Sequence, residues 1–214
     1  MLQQPSYKYF YLSVFIAGIL WVLTGLFILI YGKAGSFLLI NGYHSPPFDF
    51  FFKYYTYAGD GIMWVLVLLY CIFFRREYFI AVIAGIIIST ILSQFLKRVV
   101  YPDELRPITY FTEKFPVHVI KGIFINRVHS FPSGHASAAF TMALLMSLMI
   151  NKKTWSIILP FLALLVGYSR AYLAQHFVTD VFAGTIIGIV SAVLSVVIWQ
   201  RFVKRKSHPP QRMT

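Results

Sequence analysis

The chain has 214 residues, of which 58% are hydrophobic, 18% are aromatic and only 12% are charged. Soluble domains are about 45–50% apolar, so this composition indicates an integral membrane protein. The formal net charge of +12 does not indicate nucleic-acid binding, because the basic residues flank apolar runs and form no polar stripe. A single cysteine excludes an intrachain disulfide.

Six apolar runs are long enough for membrane-spanning helices, since about 20 apolar residues cross a bilayer. The sequence predicts an all-α, polytopic integral membrane protein with six transmembrane helices, at 9–32, 54–74, 78–97, 134–150, 154–173 and 177–201. Connections 33–53 and 98–133 are long, and the second forms a long loop between helices three and four. No separate soluble domain fits beside these runs, so residues 1–214 are predicted to form a single membrane-embedded domain.

The basic residues indicate an orientation for these spans. Ten of the 19 lysines and arginines fall in the two tails and the two short turns, which six spans would place on one side. The other nine include three candidate phosphate ligands, and most of the rest are spread over the long third connection, where the positive-inside bias is diluted. We therefore predict a bacterial inner-membrane protein with cytoplasmic termini and a site on the outer face.

Two polar segments interrupt the apolar sequence. The first is Pro-Ser-Gly-His at 132–135, and the second contains Arg170, His176 and Asp180. Ionisable side chains at membrane depth are costly, so their presence near the ends of spans indicates a functional site. In the predicted topology both segments, together with Lys97 and Arg106, lie on the same side of the membrane.

The first segment is typical of a helix start that binds an anion. Pro132 suits a first helical turn, and Ser133 is a good capping residue. The amides of Gly134 and His135 would point at a bound anion, with the helix dipole adding attraction. Gly134 would also let a phosphate approach the backbone closely.

The second segment has the residue types of a phosphate-transfer site. His176 and Asp180 are four residues apart, so on a helix they would share one face, and the carboxylate would fix the imidazole tautomer. The other ring nitrogen would then be free as a nucleophile or a base. Arg170, a suitable bidentate phosphate ligand, is six residues before His176, which requires a helix break that we predict near residues 172–175.

Two further patterns receive structural interpretations. Asp60 is predicted either to cap the second helix or to support a site residue from behind, and the small residues Gly184, Gly188 and Ala192 are predicted to form a helix-packing ridge. Metal binding by His135, His176 and Asp180 is the competing functional interpretation. Their spacing does not match a helical pair of metal ligands, and the nearby cations disfavour a divalent ion, so we predict neither a metal nor a cofactor.

These motifs resemble those of the type 2 phosphatidic acid phosphatase superfamily across nearly the whole chain. The family pattern is Lys, six residues, Arg-Pro; then Pro-Ser-Gly-His; then Ser-Arg, five residues, His, three residues, Asp. The second motif matches residues 132–135, and the third matches Ser169, Arg170, His176 and Asp180. The first motif departs from the pattern, because eight residues separate Lys97 from Arg106. Lys97 would then reach the site from the end of the third helix, with Arg98 as a substitute for it.

The resemblance implies a metal-independent lipid phosphatase that acts on a lipid phosphate or a lipid diphosphate. Polyprenyl diphosphate, phosphatidic acid, phosphatidylglycerol phosphate and lipid A phosphates are compatible substrates. It implies that His176 attacks phosphorus while Asp180 holds its ring, forming a phosphohistidine, and that His135 protonates the leaving oxygen. The residues implied to stabilise the transferring phosphate are Lys97, Arg106, Ser133, Gly134 and Arg170.

Two other functions remain open at this level. A lipid phosphotransferase would use the same residues and pass the phosphate to a second lipid in place of water. A non-catalytic lipid-binding or transport protein on the same scaffold would be expected to lack His135, His176 or Asp180, and all three are present.

Overall fold

The structure is a computed structural model that describes residues 7–111 and 117–207, with side chains as far as Phe202. The regular structure of these residues is helical throughout. The basic C-terminal tail that contributes to the predicted orientation lies beyond the described side chains. The α-helices, numbered α1 to α8, are Lys8–Gly42, Pro46–Tyr55, Gly61–Phe74, Phe79–Phe95, Pro107–Tyr110, Gly134–Ile150, Lys153–Tyr172 and Val178–Ser207.

Four helical segments in the described part of the chain are long and apolar enough to cross a membrane. They are α1, the segment Arg76–Val100 that contains α4, α7, and the Val178–Phe202 part of α8. The pair formed by Pro46–Gly59 and Gly61–Phe74 is bent by 55° and counts as a fifth candidate span. Helix α6 is also apolar, but its 17 residues are fewer than the about 20 of a full span.

The second predicted helix and the connection before it differ from the prediction. Helix α1 continues to Gly42 beyond a kink at Gly32, whose φ of 68° lies in the left-handed region that glycine adopts easily. Helix α2 then begins at Pro46, so most of the predicted connection 33–53 is helical. Helix α3 begins only at Gly61, because Asp60 has extended backbone and its carboxylate accepts the Gly61 amide at 2.6 Å. The predicted cap at Asp60 is thus confirmed.

Helix α6 forms the centre of the bundle, where it packs against α1, α4, α7 and α8. Two glycines of α8 allow a very close approach to it. A Cβ atom on Gly184 would lie 2.4 Å from the carbonyl oxygen of Ser133, and one on Gly188 would lie 2.7 Å from that of Ser137. The predicted packing role of this ridge is therefore confirmed, and it presses the start of α8 against the start of α6.

The chain direction brings four helix ends together. Helices α4 and α7 end, and helices α6 and α8 begin, at the same end of the bundle. At the opposite end, the Trp199 indole donates to the carbonyl of Glu77, and the Ser147 hydroxyl donates to the carbonyl of Tyr9. The polar motifs therefore lie together at one end of the bundle, and the short turns lie at the other.

Candidate active site

The turn between α7 and α8 brings Arg170 and His176 into one region. Helix α7 ends at Tyr172 and α8 begins at Val178, which confirms the predicted break. The carbonyl of Arg170 accepts hydrogen bonds from the amides of Gln175 at 2.9 Å and His176 at 3.2 Å. Ala174 has a φ of 55°, which reverses the chain within this turn.

His176 and Asp180 meet, although they do not share a helix face. His176 precedes α8, so the prediction that both lie on one helix is wrong. Because α8 begins at Val178, Phe177 is its N-cap, and the Phe177 amide donates to the Asp180 Oδ2 at 3.0 Å. This capping hydrogen bond turns the carboxylate towards the residues that precede α8. The same oxygen therefore lies 3.3 Å from the Nδ1 of His176. The Ser130 hydroxyl donates to it as well.

The environment of His176 favours a neutral imidazole. The side chain is only 1% exposed, and burial lowers its pKa well below the ordinary value of about 6.5, with the nearby cations of Arg106, Lys97 and Arg170 acting in the same direction. With Nδ1 donating to Asp180, the Nε2 atom carries a lone pair at neutral pH. A buried, oriented ring nitrogen of this kind has the chemical capacity of a nucleophile or a base.

The start of α6 supplies amide donors. Ser133 is the N-cap, and its hydroxyl accepts the Ala136 amide at 3.3 Å, while its own amide donates to the carbonyl of Asp180 at 3.0 Å. Pro132 lies one residue before the cap and not in the first turn as predicted, because the helix begins at Gly134. First-turn amides, those of Gly134 and His135 here, have no acceptor within their own helix and are available to an anion.

Two buried arginines lie side by side at the site. Arg106 is 6% exposed and Arg170 is 8% exposed. The Nη1 of Arg106 donates to the Oε1 of Gln175 at 2.9 Å, and the Nη2 of Arg170 donates to the same oxygen at 3.4 Å. The Nη1 of Arg170 donates to the Thr56 hydroxyl at 2.8 Å. Gln175 thus accepts from both guanidinium groups, and Thr56 holds that of Arg170 as well.

Of the two candidates for the first-motif lysine, the structure directs Lys97 towards the site. Lys97 is partly buried and interacts electrostatically with Arg106, Asp180 and Arg170. Arg98 is exposed, and its Nε donates to Gln94 at 3.0 Å on the surface. The end of α4 widens into a π-helical turn over Leu96–Val100. Such a turn accommodates an extra residue, which takes up part of the longer spacing before Arg106.

His135 occupies the middle of this arrangement. It interacts electrostatically with Arg170, Lys97 and Arg106, and it also acts on His176. Gly59 packs directly on its backbone, since a Cβ atom there would lie 2.8 Å from the His135 carbonyl oxygen. All eight predicted site residues are thus brought together at one end of the bundle.

Three polar contacts of the site are absent from the sequence prediction: those of Ser130, Thr56 and Gln175. Ser130 lies three residues before Ser133, and Gln175 lies between two motif residues, so their position beside the motifs could have indicated both. Thr56 offers no such signal, because its contact with Arg170 joins residues 114 positions apart. Within the described part of the chain, no group of three or more His, Cys, Asp or Glu side chains is arranged to hold a metal ion.

The side chains gathered at this end of the bundle are suited to the transfer of an anionic group. They combine a neutral imidazole oriented by a carboxylate, a second imidazole, and three cations with a helix N-terminus. Such a set can stabilise a transferring anionic group while a histidine nitrogen attacks it. The fold and the site together define a helical integral membrane protein with an anion-transfer site at one end of its bundle.

Comparison with known proteins gives the same assignment. The PAP2 superfamily model matches residues 78–204, so the chain belongs to this superfamily, as its motifs indicated. Undecaprenyl-diphosphatase of Sulfolobus acidocaldarius is 29% identical over 170 residues, which cover 76% of each chain. Lipid A 4'-phosphatase of Bacteroides thetaiotaomicron is 29% identical over 162 residues, which cover 71% of this chain and 69% of that protein.

A solved structure is also similar. The crystal structure of Aquifex aeolicus LpxE matches with a TM-score of 0.67 and 33% sequence identity. The match covers 75% of this chain and 92% of that chain. Three quarters of the chain therefore shares its fold with an experimentally determined structure.

Proposed function

We propose that this protein is an integral membrane lipid phosphatase that hydrolyses the terminal phosphate of a lipid phosphate or lipid diphosphate through a phosphohistidine on His176. The observation that carries the proposal is the contact of the His176 Nδ1 with Asp180 at 3.3 Å, beside two buried arginines. The superfamily relatives named as undecaprenyl-diphosphatase and lipid A 4'-phosphatase support the substrate class.

In the first step, the Nε2 lone pair of His176 forms a bond to phosphorus in line with the bond that breaks. The breaking P–O bond leaves its electron pair on the lipid oxygen, which takes a proton from His135; the negative charge of the bound substrate favours the protonated form of this ring. Asp180 holds the attacking ring through Nδ1 and stabilises the charge that develops on it. For a diphosphate substrate the leaving group is the lipid monophosphate.

In the second step, a water oxygen attacks the phosphohistidine, and His135 accepts the proton of this water. The N–P bond breaks, its electron pair returns to Nε2, and inorganic phosphate leaves. Lys97, Arg106, Arg170 and the Gly134 amide stabilise the equatorial oxygens in both steps, and the free hydroxyl proton of Ser133 adds a further donor.

The proposed architecture is a single domain over residues 1–214 with six spans. The four long apolar helices, the bent pair and the shorter α6 support this number. We propose a bacterial inner membrane with both termini in the cytoplasm. Ten of the 19 basic residues lie in the tails and short turns, and most of the other nine are candidate phosphate ligands or are spread over the long third connection. The site then faces the outer side.

The test measures phosphate release by the full chain, purified in detergent, from a panel of lipid phosphates and diphosphates. The variant His176→Asn keeps a donor for Asp180 but has no nucleophilic ring nitrogen, so we expect activity to fall by at least about 10³-fold. His44→Asn is the matched control, because His44 is exposed and its ring stacks on that of His118, which is not one of the predicted site residues.

Retention of wild-type activity by His176→Asn contradicts the nucleophile. We expect brief incubation with a radiolabelled substrate to give an acid-labile, base-stable phosphoprotein that His176→Asn lacks. Chelation by EDTA should leave the rate unchanged, and a loss that a divalent metal restores contradicts the metal-free mechanism. Product analysis with a second lipid present distinguishes hydrolysis from phosphotransfer, since transfer yields a new lipid phosphate in place of inorganic phosphate.

A further inference from the structure

Gln175 is a buried glutamine that contacts both arginines of the site. Its side chain is only 4% exposed, and its Oε1 lies 2.9 Å from the Nη1 of Arg106 and 3.4 Å from the Nη2 of Arg170. Its backbone carbonyl also accepts from the Nη1 of Arg106, at 3.0 Å. Gln175 is therefore the residue through which the two guanidinium groups are linked.

The orientation of the Gln175 amide is fixed by its other end. Its Nε2 donates to the carbonyl of Phe124 at 3.0 Å, so the oxygen must face the two arginines. Exchanging the oxygen and the nitrogen would point an N–H group at two guanidinium groups and leave the Phe124 carbonyl without this donor. The acceptor is thus held rigidly by the loop that precedes α6.

The charge of this partner determines what the arginines can still bind. Two guanidinium groups repel each other when they share a buried site, and an acceptor between them offsets part of that repulsion. A glutamate would do this more strongly, but it would also neutralise charge that a phosphate requires. A glutamine holds both guanidinium groups in place and leaves their positive charge to bind a phosphate.

Free donors remain on both arginines. The Nε of Arg170 is buried and has no hydrogen-bond partner among the described residues. Arg106 uses its Nε on the Val128 carbonyl and its Nη1 on Gln175, so the hydrogen bonds of the described residues leave its Nη2 free. One anion with several oxygens can accept from both residues at once.

We propose that Gln175 is a positioning residue, which sets Arg106 and Arg170 as one clamp for a single phosphate without neutralising their charge. This inference rests on the proposed function, because it assumes that the transferred group is a phosphate. Gln175 acts through the arginines, and its effect is expected mainly on the binding of phosphate and of its transition state.

The test uses two substitutions of nearly constant volume and a matched pair elsewhere. Gln175→Glu keeps the acceptor for the arginines, adds a negative charge and loses the donor to the Phe124 carbonyl, whereas Gln175→Met loses both the acceptor and the donor. The controls are Gln94→Glu and Gln94→Met, because Gln94 is an exposed glutamine that accepts from Arg98 outside the site. Each variant is measured for orthovanadate affinity, for KM and kcat on one lipid phosphate, and for Tm in detergent.

We expect Gln175→Glu to weaken orthovanadate binding and raise KM by at least about 10-fold. Its Tm should fall less than that of Gln175→Met, since both variants lose the donor to Phe124 but only the glutamate forms ion pairs with the arginines. Gln175→Met is expected to lower kcat/KM by about 10-fold, because the arginines lose their common acceptor. Both Gln94 variants should match the wild type in binding and kinetics. A positioning role is indicated if Gln175→Glu loses more orthovanadate affinity than Gln175→Met but less Tm.

Wild-type orthovanadate affinity in Gln175→Glu overturns the proposal. A loss of affinity in both Gln175 variants that follows a parallel loss of Tm also overturns it, since it indicates a merely structural role. Orthovanadate binding requires no turnover, so it separates this proposal from the proposed function. If the wild type binds orthovanadate but releases no phosphate from any lipid, the proposed function fails. The orthovanadate affinities of the Gln175 variants still show whether Gln175 positions Arg106 and Arg170 for one anion.

Discussion

Replacing Gly184 by alanine tests whether the contact between α6 and α8 sets the geometry of the site. The added Cβ would lie 2.4 Å from the Ser133 carbonyl oxygen and 2.9 Å from the Ala136 Cβ, whereas ordinary contacts begin at 3.4 Å. The start of α6 must therefore move by about 1 Å relative to α8. A displacement of this size in a catalytic constellation costs about 10²-fold in rate, and overpacking costs about 1–3 kcal/mol of stability.

The assay for Gly184→Ala is kcat/KM for phosphate release in detergent, with Tm measured on the same preparations. Gly188→Ala is the matched control one turn further along α8, where the Cβ would lie 2.7 Å from the Ser137 carbonyl oxygen. It should lower Tm comparably but reduce kcat/KM less, because Ser133 and Asp180 are more distant. Gly18→Ala, with no atom within 4 Å, should change neither. The reasoning fails if Gly184→Ala stays within about twofold of wild-type kcat/KM.

Three further predictions follow from the buried polar contacts. Asp180→Asn should lower kcat by at least about 10²-fold. The donors of Ser130, Phe177 and His176 share one carboxylate oxygen, which an amide can replace, but the amide lacks the negative charge that stabilises the His176 ring as it attacks. Steady-state kinetics measures this, and an unchanged kcat contradicts the orienting role. Asp49→Asn should lower the free energy of unfolding by about 1 kcal/mol, because the His118 ring, 2.9 Å from the carboxylate, loses a charged partner. Denaturation in detergent tests this, and unchanged stability refutes it. Because burial lowers the pKa of His176, the unfolded chain takes up a proton here before the folded chain as pH falls, so stability should decrease below about pH 6.5. Thermal unfolding at several pH values should show a weaker decrease in His176→Asn, and an equal decrease contradicts the assignment.

Most of the helices and the position of the motifs could be predicted from the sequence. Apolar runs predict helices because lipid requires backbone hydrogen bonds to be made within the segment, and five of the six predicted runs correspond closely to helices of the described chain. The motif spacing also predicted a break between Arg170 and His176. Chain direction alone then placed both motifs at one end of the bundle.

Details that depend on distant contacts did not follow from the sequence. His44 and His118 show no pairing pattern, yet their rings stack at 3.7 Å between centroids, and Asn41 accepts from the His118 amide at 2.8 Å. The bend at Asp60 and the helical course of 33–53 likewise depend on packing and on local caps that compete with the apolar pattern. A hydrophobicity pattern measures transfer into lipid, and it carries little information about such breaks.

The sequence by itself determined the membrane class, the family and the candidate site residues, because these depend on composition and on short motifs. Only the tertiary structure decided that Lys97 and not Arg98 is directed towards the site, that Asp180 reaches His176 from a helix cap, and that Gln175 links Arg106 to Arg170. The physical reason is that each of these contacts depends on where helix ends meet. That meeting is set by side-chain packing over long sequence separations, of which the contact of Gly184 with Ser133 is the clearest example.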